Sequence, residues 1–199
     1  MVETQTISQV QDGVSKRAVS SIAILTALVS FTMLFATLML GFVIYRLTAP
    51  VWPPQGMKRP DLVLPMLSTL TIAISSFCFF KFEEAMRAKK LQLNLLQGAL
   101  GFGILFMVIQ GIFWNSLKSQ GIFVSSGLYP SIIYAFTWIH AAHVVAAYFM
   151  LGWLYLKVSK PGVLESDSDL ALMRVENVGK FWHFLGIIWV IMFVTIFIL

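Results

Sequence analysis

The chain has 199 residues, of which 58% are hydrophobic and only 12% charged, with a formal net charge of +5. Apolar stretches too long for a globular core recur along its whole length, which excludes a water-soluble domain and points to an all-α integral membrane protein. The positive charge does not indicate nucleic acid, because the basic residues gather at the ends of apolar stretches and form no stripe.

A helix that crosses a hydrocarbon layer of ~30 Å needs ~20 mostly apolar residues at ~1.5 Å each. Five segments meet that need, at about 21–45, 61–80, 91–117, 130–156 and 177–199. Lipid leaves backbone polar groups unsatisfied, so these segments must be helices. The expected organisation is a flexible polar tail over 1–20 and a bundle of five transmembrane helices over 21–199. The tail lacks an early basic cluster, and the apolar stretch behind it is longer than a signal-peptide core, so it should anchor and not be cleaved.

Span one is followed by a loop that begins at Arg46 and holds Pro50, Trp52, Pro53, Pro54 and Gly56. Prolines at this density forbid helix and stiffen the turn, and Trp52 should lie at headgroup level. Span two carries Pro65 in its first turns, where a missing N–H does little harm, and then Ser68, Thr69, Thr71, Ser75 and Ser76. That polar set suits helix contact better than lipid. Cys78, the single cysteine, is expected to be a packing residue. Residues 81–90, with Glu83 and Arg87 at i,i+4, read as a short solvated turn.

Span three opens with Gln92, Asn94 and Gln97 and runs to Gln110. Ala99 with Gly103, and Ala142 with Ala146 in span four, are small pairs that let helix backbones approach closely. The acids of the segment 157–176, Glu165, Asp167 and Asp169, read as ordinary solvation. Lys16, Arg17, Lys81, Arg87, Lys89, Lys90, Lys157, Lys160, Arg174 and Lys180 lie on the N-terminal side of the membrane, against Arg46, Lys58, Arg59 and Lys118 on the other. That excess predicts an N-in, C-out orientation.

All three histidines, His140, His143 and His183, lie within apolar spans, where an ionisable group is a site hypothesis by default. Three functions compete for them. A bis-imidazole haem is the first. Counting ~1.5 Å per residue from Lys157 and Lys180 puts His143 ~21 Å and His183 ~5 Å from the inside ends of their spans. Axial ligands to one iron stand ~4 Å apart, so this depth gap argues against haem. His140 and His143 share one helix face and cannot flank a porphyrin. No Cys, Asp or Glu adjoins them, so no metal site is expected. A transporter is the second, and it lacks an inverted repeat and a mid-span acid. The third is an accessory subunit whose imidazoles are satisfied by hydrogen bonds to neighbouring helices, or by lipid headgroups near the surface for His183.

At this point the motifs carry a resemblance. Ala49-Pro50-Val51-Trp52-Pro53-Pro54-Gln55-Gly56, Leu64-Pro65-Met66-Leu67-Ser68-Thr69 with Ser75-Ser76, Gln110, His140-Ala141-Ala142-His143-Val144, and Phe181-Trp182-His183-Phe184 with Trp189 follow in order. The series resembles subunit III of the haem-copper terminal oxidases, in the five-helix form found in bacteria. Three membrane-embedded acids usual in that family are replaced, by Phe31, Phe113 and Gly186. The resemblance therefore does not carry over a role that depends on those carboxylates, such as a direct part in conducting protons, and leaves the packing and lipid-binding roles standing.

The resemblance implies a non-catalytic subunit of a proton-pumping oxidase that reduces dioxygen to water, in the inner membrane of a bacterium. It implies no catalytic, cofactor or metal residue in this chain. Haem and copper belong to the partners, subunit I as the main contact and subunit II beside it. Phospholipid is the other expected ligand. His140, His143, Trp182, His183, Trp52 and Arg46 are the candidate lipid or subunit contacts, with His183 and Trp182 near the inside interface. A small subunit of a nitric oxide reductase, and a free-standing haem or transport protein, are the alternatives.

Overall fold

The computed structural model describes the backbone of residues 2–54, 60–160 and 168–198, and side chains from residue 18 onward except those of 55–59, 161–168 and 199. Five long helices account for most of it: α1 (Val2–Thr48), α2 (Val63–Arg87), α3 (Leu93–Ser119), α4 (Leu128–Val158) and α5 (Ser168–Phe193). A wider, π-type turn over Val194–Ile198 closes the chain, and a single 3-10 turn at Val124–Ser126 precedes α4. Each of the five helices contains a segment long and apolar enough to cross a membrane. No strand occurs among the described residues.

The helices depart from the expected spans in three places. The backbone of residues 2–17 continues the helix of the first span, so composition sets the polar lead-in apart, and no break in secondary structure does. Segment 81–87, expected to be a solvated turn, is the last stretch of α2, with Phe82, Glu83, Ala85 and Met86 buried. α5 begins nine residues before the expected start at 177, at Ser168. The two extensions explain each other. Ala171, Val175 and Val178 are buried and fall on one face of α5 at helical spacing, and α5 packs beside α2. A charged segment thereby becomes amphipathic, with Asp169 in the first turn, where an acid complements the helix dipole. Arg87 does not pair with Glu83. Its guanidinium reaches across to Glu176 on α5, Nη2 to Oε1 at 3.2 Å.

α2 and α3 form the most extensive helix pair, joined by a tight turn in which Lys89 adopts φ +55°. α5 packs against both α2 and α4, and α3 against α4. α1 stands at the margin. Phe35 and Phe42 are its only buried side chains among the described residues. Ala99 and Gly103 face the bundle interior, whereas Ala142 and Ala146 are exposed, with no described helix of this chain over them.

The hydroxyl set of α2 makes the helix contacts expected of it. Ser75 Oγ donates to the Ala99 carbonyl at 2.7 Å, and Gln110 Nε2 donates to Ser68 Oγ at 2.8 Å, both tying α2 to α3. Trp189 Nε1 donates to Thr69 Oγ1 at 3.0 Å and ties α5 to α2. Each such bond inside a membrane is worth only ~0.6 kcal/mol on average, so they set register more than they supply stability. Close packing supplies the rest: Phe79, Phe106, Trp182 and Trp189 are essentially enclosed.

Candidate functional site

The histidines occupy two different joints of the bundle. His140 is fully buried on α4, ringed by Phe35 of α1 (6.1 Å between centroids), Phe106 of α3 (6.0 Å) and Trp189 of α5 (5.4 Å). Neither of its ring nitrogens has a hydrogen-bond partner. His143 donates from Nδ1 to the carbonyl of Ile139 in its own helix at 2.7 Å, and its ring meets Phe31 at 4.5 Å and Phe35 at 5.7 Å. The expectation of hydrogen-bonded links from these two imidazoles to neighbouring helices therefore fails. Their links are ring contacts, because every helix that faces them presents an aromatic side chain.

His183 lies at the joint of α5 with α2. Its Nδ1 is 3.2 Å from Ser76 Oγ, and its Nε2 is 3.8 Å from Glu83 Oε2. Glu83 is almost enclosed, at 8% exposure, and Gly179 makes room for it: a Cβ at 179 would collide with Glu83 Oε1 and fall 2.7 Å from a ring carbon of Phe79. Trp182, although adjacent in sequence, points the other way. Its ring fills the space left by Gly103 on α3, where a Cβ would come within 3.0 Å. Trp182 is fully buried while His183 borders a groove of 470 Å³ between α2 and α5, so the two side chains do not share one surface.

The depth gap drawn between His143 and His183 also falls. It rested on a late start for α5, and Phe31 in fact touches both His143 and Phe181, so the two histidines lie at similar levels. They still face different helices, His143 toward α1 and His183 toward α2. Among the described residues, no three His, Cys, Asp or Glu side chains gather as a metal set.

Trp52 and Arg46 come together at the opposite end from the α2–α3 turn. The Arg46 guanidinium stands 5.3 Å above the Trp52 ring, which is held edge-on by Phe42, Tyr45 and Tyr129. Gln55, Gly56, Lys58 and Arg59 of the same loop lie outside the described residues, as do Pro161, Gly162, Glu165 and Asp167.

The three positions expected to be acidic by resemblance are filled otherwise. Phe31 packs on His143, Phe113 is 2% exposed against Phe197, and Gly186 faces Ser76. Among the described residues the buried acid is instead Glu83, which sequence reasoning passed over. Its signal was there in the spacing, since Phe79, Glu83 and Met86 fall on one helical face.

The model of cytochrome c oxidase subunit III matches residues 4–199, nearly the whole chain. The chain belongs to this family. Cytochrome c oxidase subunit 3 of Synechocystis sp. is 27% identical over 177 residues, covering 86% of this chain and 72% of its own. A probable cytochrome c oxidase subunit 3 of Rickettsia prowazekii is 24% identical and covers 100% of this chain and 73% of its own. A heme-copper oxidase subunit I+III of Aeropyrum pernix is 26% identical over 71% of this chain, which corresponds to 17% of that longer protein. Membership makes the chain a non-catalytic subunit III of a haem-copper oxidase, a multi-pass membrane component of that complex.

Proposed function

We propose that this subunit III sits against subunit I of its oxidase, with subunit II nearby, stabilises subunit I and holds phospholipid at the joint. Haem and copper reside in those partners. The family match over residues 4–199 carries the reading, and the subunit I+III relative supports subunit I as the main contact. The long exposed flank of α1 and the outward-facing Ala142 and Ala146 of α4 are surfaces such a partner would cover. The N-in orientation follows from the basic excess of ten residues against four, and the site is the inner membrane of a bacterium.

The rings around His140 and His143 fix α1 to α4 and α5, and thereby shape the face offered to subunit I. His183, with Glu83 and Ser76, does the same for the α2–α5 joint. The test is purification of the tagged chain from its native membrane in mild detergent. A large haem-bearing subunit should accompany it in fixed ratio, and recovery of the chain alone would refute the assignment.

A further inference from the structure

A cavity of 310 Å³ opens where α1 ends and where α2 and α4 begin. Its walls combine three kinds of chemistry. Arg46 supplies a cation and Asp61 a carboxylate, Trp52 and Tyr129 form an aromatic side, and Ile196 and Phe197 form an apolar floor. Arg46 lies at the last turn of α1 and Asp61 just before α2, so both stand at the level where a membrane helix meets the headgroups.

The two charges are not spent on each other. No ion pair joins Arg46 to any carboxylate among the described residues. The Arg46 guanidinium carbon stands 5.3 Å from the centre of the Trp52 ring, and its N–H groups make no hydrogen bond or ion pair among the described residues, so they are available for an oxyanion. Asp61 uses one oxygen, Oδ1, to accept the backbone N–H of Val63 at 3.2 Å. Its other oxygen accepts no hydrogen bond among the described residues. A site with an unspent cation, an unspent anion and an apolar floor suits a zwitterion that carries a hydrocarbon tail.

We propose that this cavity binds a phospholipid whose headgroup bears a phosphate and a primary ammonium, with the phosphate on Arg46, the ammonium on Asp61 and the first acyl carbons over Ile196 and Phe197. A quaternary ammonium suits it less. Such a group needs an open aromatic face, and the Trp52 ring already has Arg46 over it and Phe42, Tyr45 and Tyr129 packed around it. A purely anionic lipid would leave Asp61 opposed by like charge. The inference rests on the phospholipid-binding reading above, and adds to it the class of lipid and the residues that select it.

The test uses the intact oxidase complex, reconstituted in nanodiscs of equal parts phosphatidylethanolamine, phosphatidylglycerol and phosphatidylcholine. The complex is then returned to detergent, and tightly retained lipid is counted by native mass spectrometry. The parent should retain phosphatidylethanolamine over either competitor. Asp61→Asn keeps the Oδ1 acceptor for Val63, so α2 still starts properly, and it should cut that preference about tenfold. Arg46→Gln should release the lipid whatever its headgroup. Retained lipid with the same preference in Asp61→Asn would overturn the assignment and leave the general phospholipid reading intact. A parent complex that keeps no phospholipid would overturn both. A bifunctional cross-link from position 46 to another subunit, in place of lipid, would show that protein fills the cavity and would also overturn it.

Discussion

Phe31 stands edge-on to His143, with ring centroids 4.5 Å apart and planes at 79°. The contact joins α1 to α4 at a position where the resemblance leads one to expect a carboxylate. With Phe35 and Phe42 it supplies the aromatic contacts that hold α1 against α4. Because lipid is as apolar as these rings, their contribution is shape and dispersion rather than removal from water. Phe31→Ala combined with Phe35→Ala should therefore loosen α1 selectively, at ~0.5–1.5 kcal/mol per lost aromatic pair. Faster proteolysis in the α1–α2 loop, with the α2–α3 hairpin unchanged, is the expected readout.

His140 has two ring nitrogens without partners in a fully buried cage. An unsatisfied buried polar group costs ~1–3 kcal/mol, and replacing it with an apolar group of similar shape relieves that cost. His140→Leu should therefore melt at the same temperature as the parent or above it. Trp189→Ala, which removes the ring beside His140 and the bond to Thr69, should melt well below.

Gly179 exists to admit Glu83. Gly179→Ala drives a methyl group into the carboxylate and should destabilise the α2–α5 joint by ~1–3 kcal/mol. Glu83→Ala in the same chain should recover part of that loss, because the nearest obstructing atoms are gone while Phe79 remains. Additive effects in this pair, measured by unfolding in detergent, would show that the two residues do not meet.

Ala142 and Ala146 face outward on α4. Leucine at both positions should leave the isolated chain as stable as before, since no described helix of its own lies over them, and should lower the recovery of subunit I in pull-down. Unchanged recovery would move the contact to another face.

Five helices were legible in composition alone, because length and apolarity suffice once lipid forbids other backbone. The helix-facing hydroxyls of α2 were legible too, since Ser68, Ser75 and Thr69 recur on turns that must meet α3 and α5. Segment 81–87 and the start of α5 were not legible. Their charges read as solvated loop until each is seen to cover the other, which is a tertiary fact. The partners of His140 and His143 were hidden for a related reason: an imidazole in an apolar span invites a polar neighbour, and only the packing reveals that Phe31, Phe35, Phe106 and Trp189 take that place.

The central claim is that this chain serves an oxidase without carrying its redox centres. It is tested most directly by stripping the chain from the purified complex and following both the haem spectrum and oxygen consumption through repeated turnover. The account predicts an unchanged spectrum and initial rate, with activity that then decays faster than in the complete complex. Haem absorbance leaving with the chain, or an unaltered lifetime without it, would contradict the account.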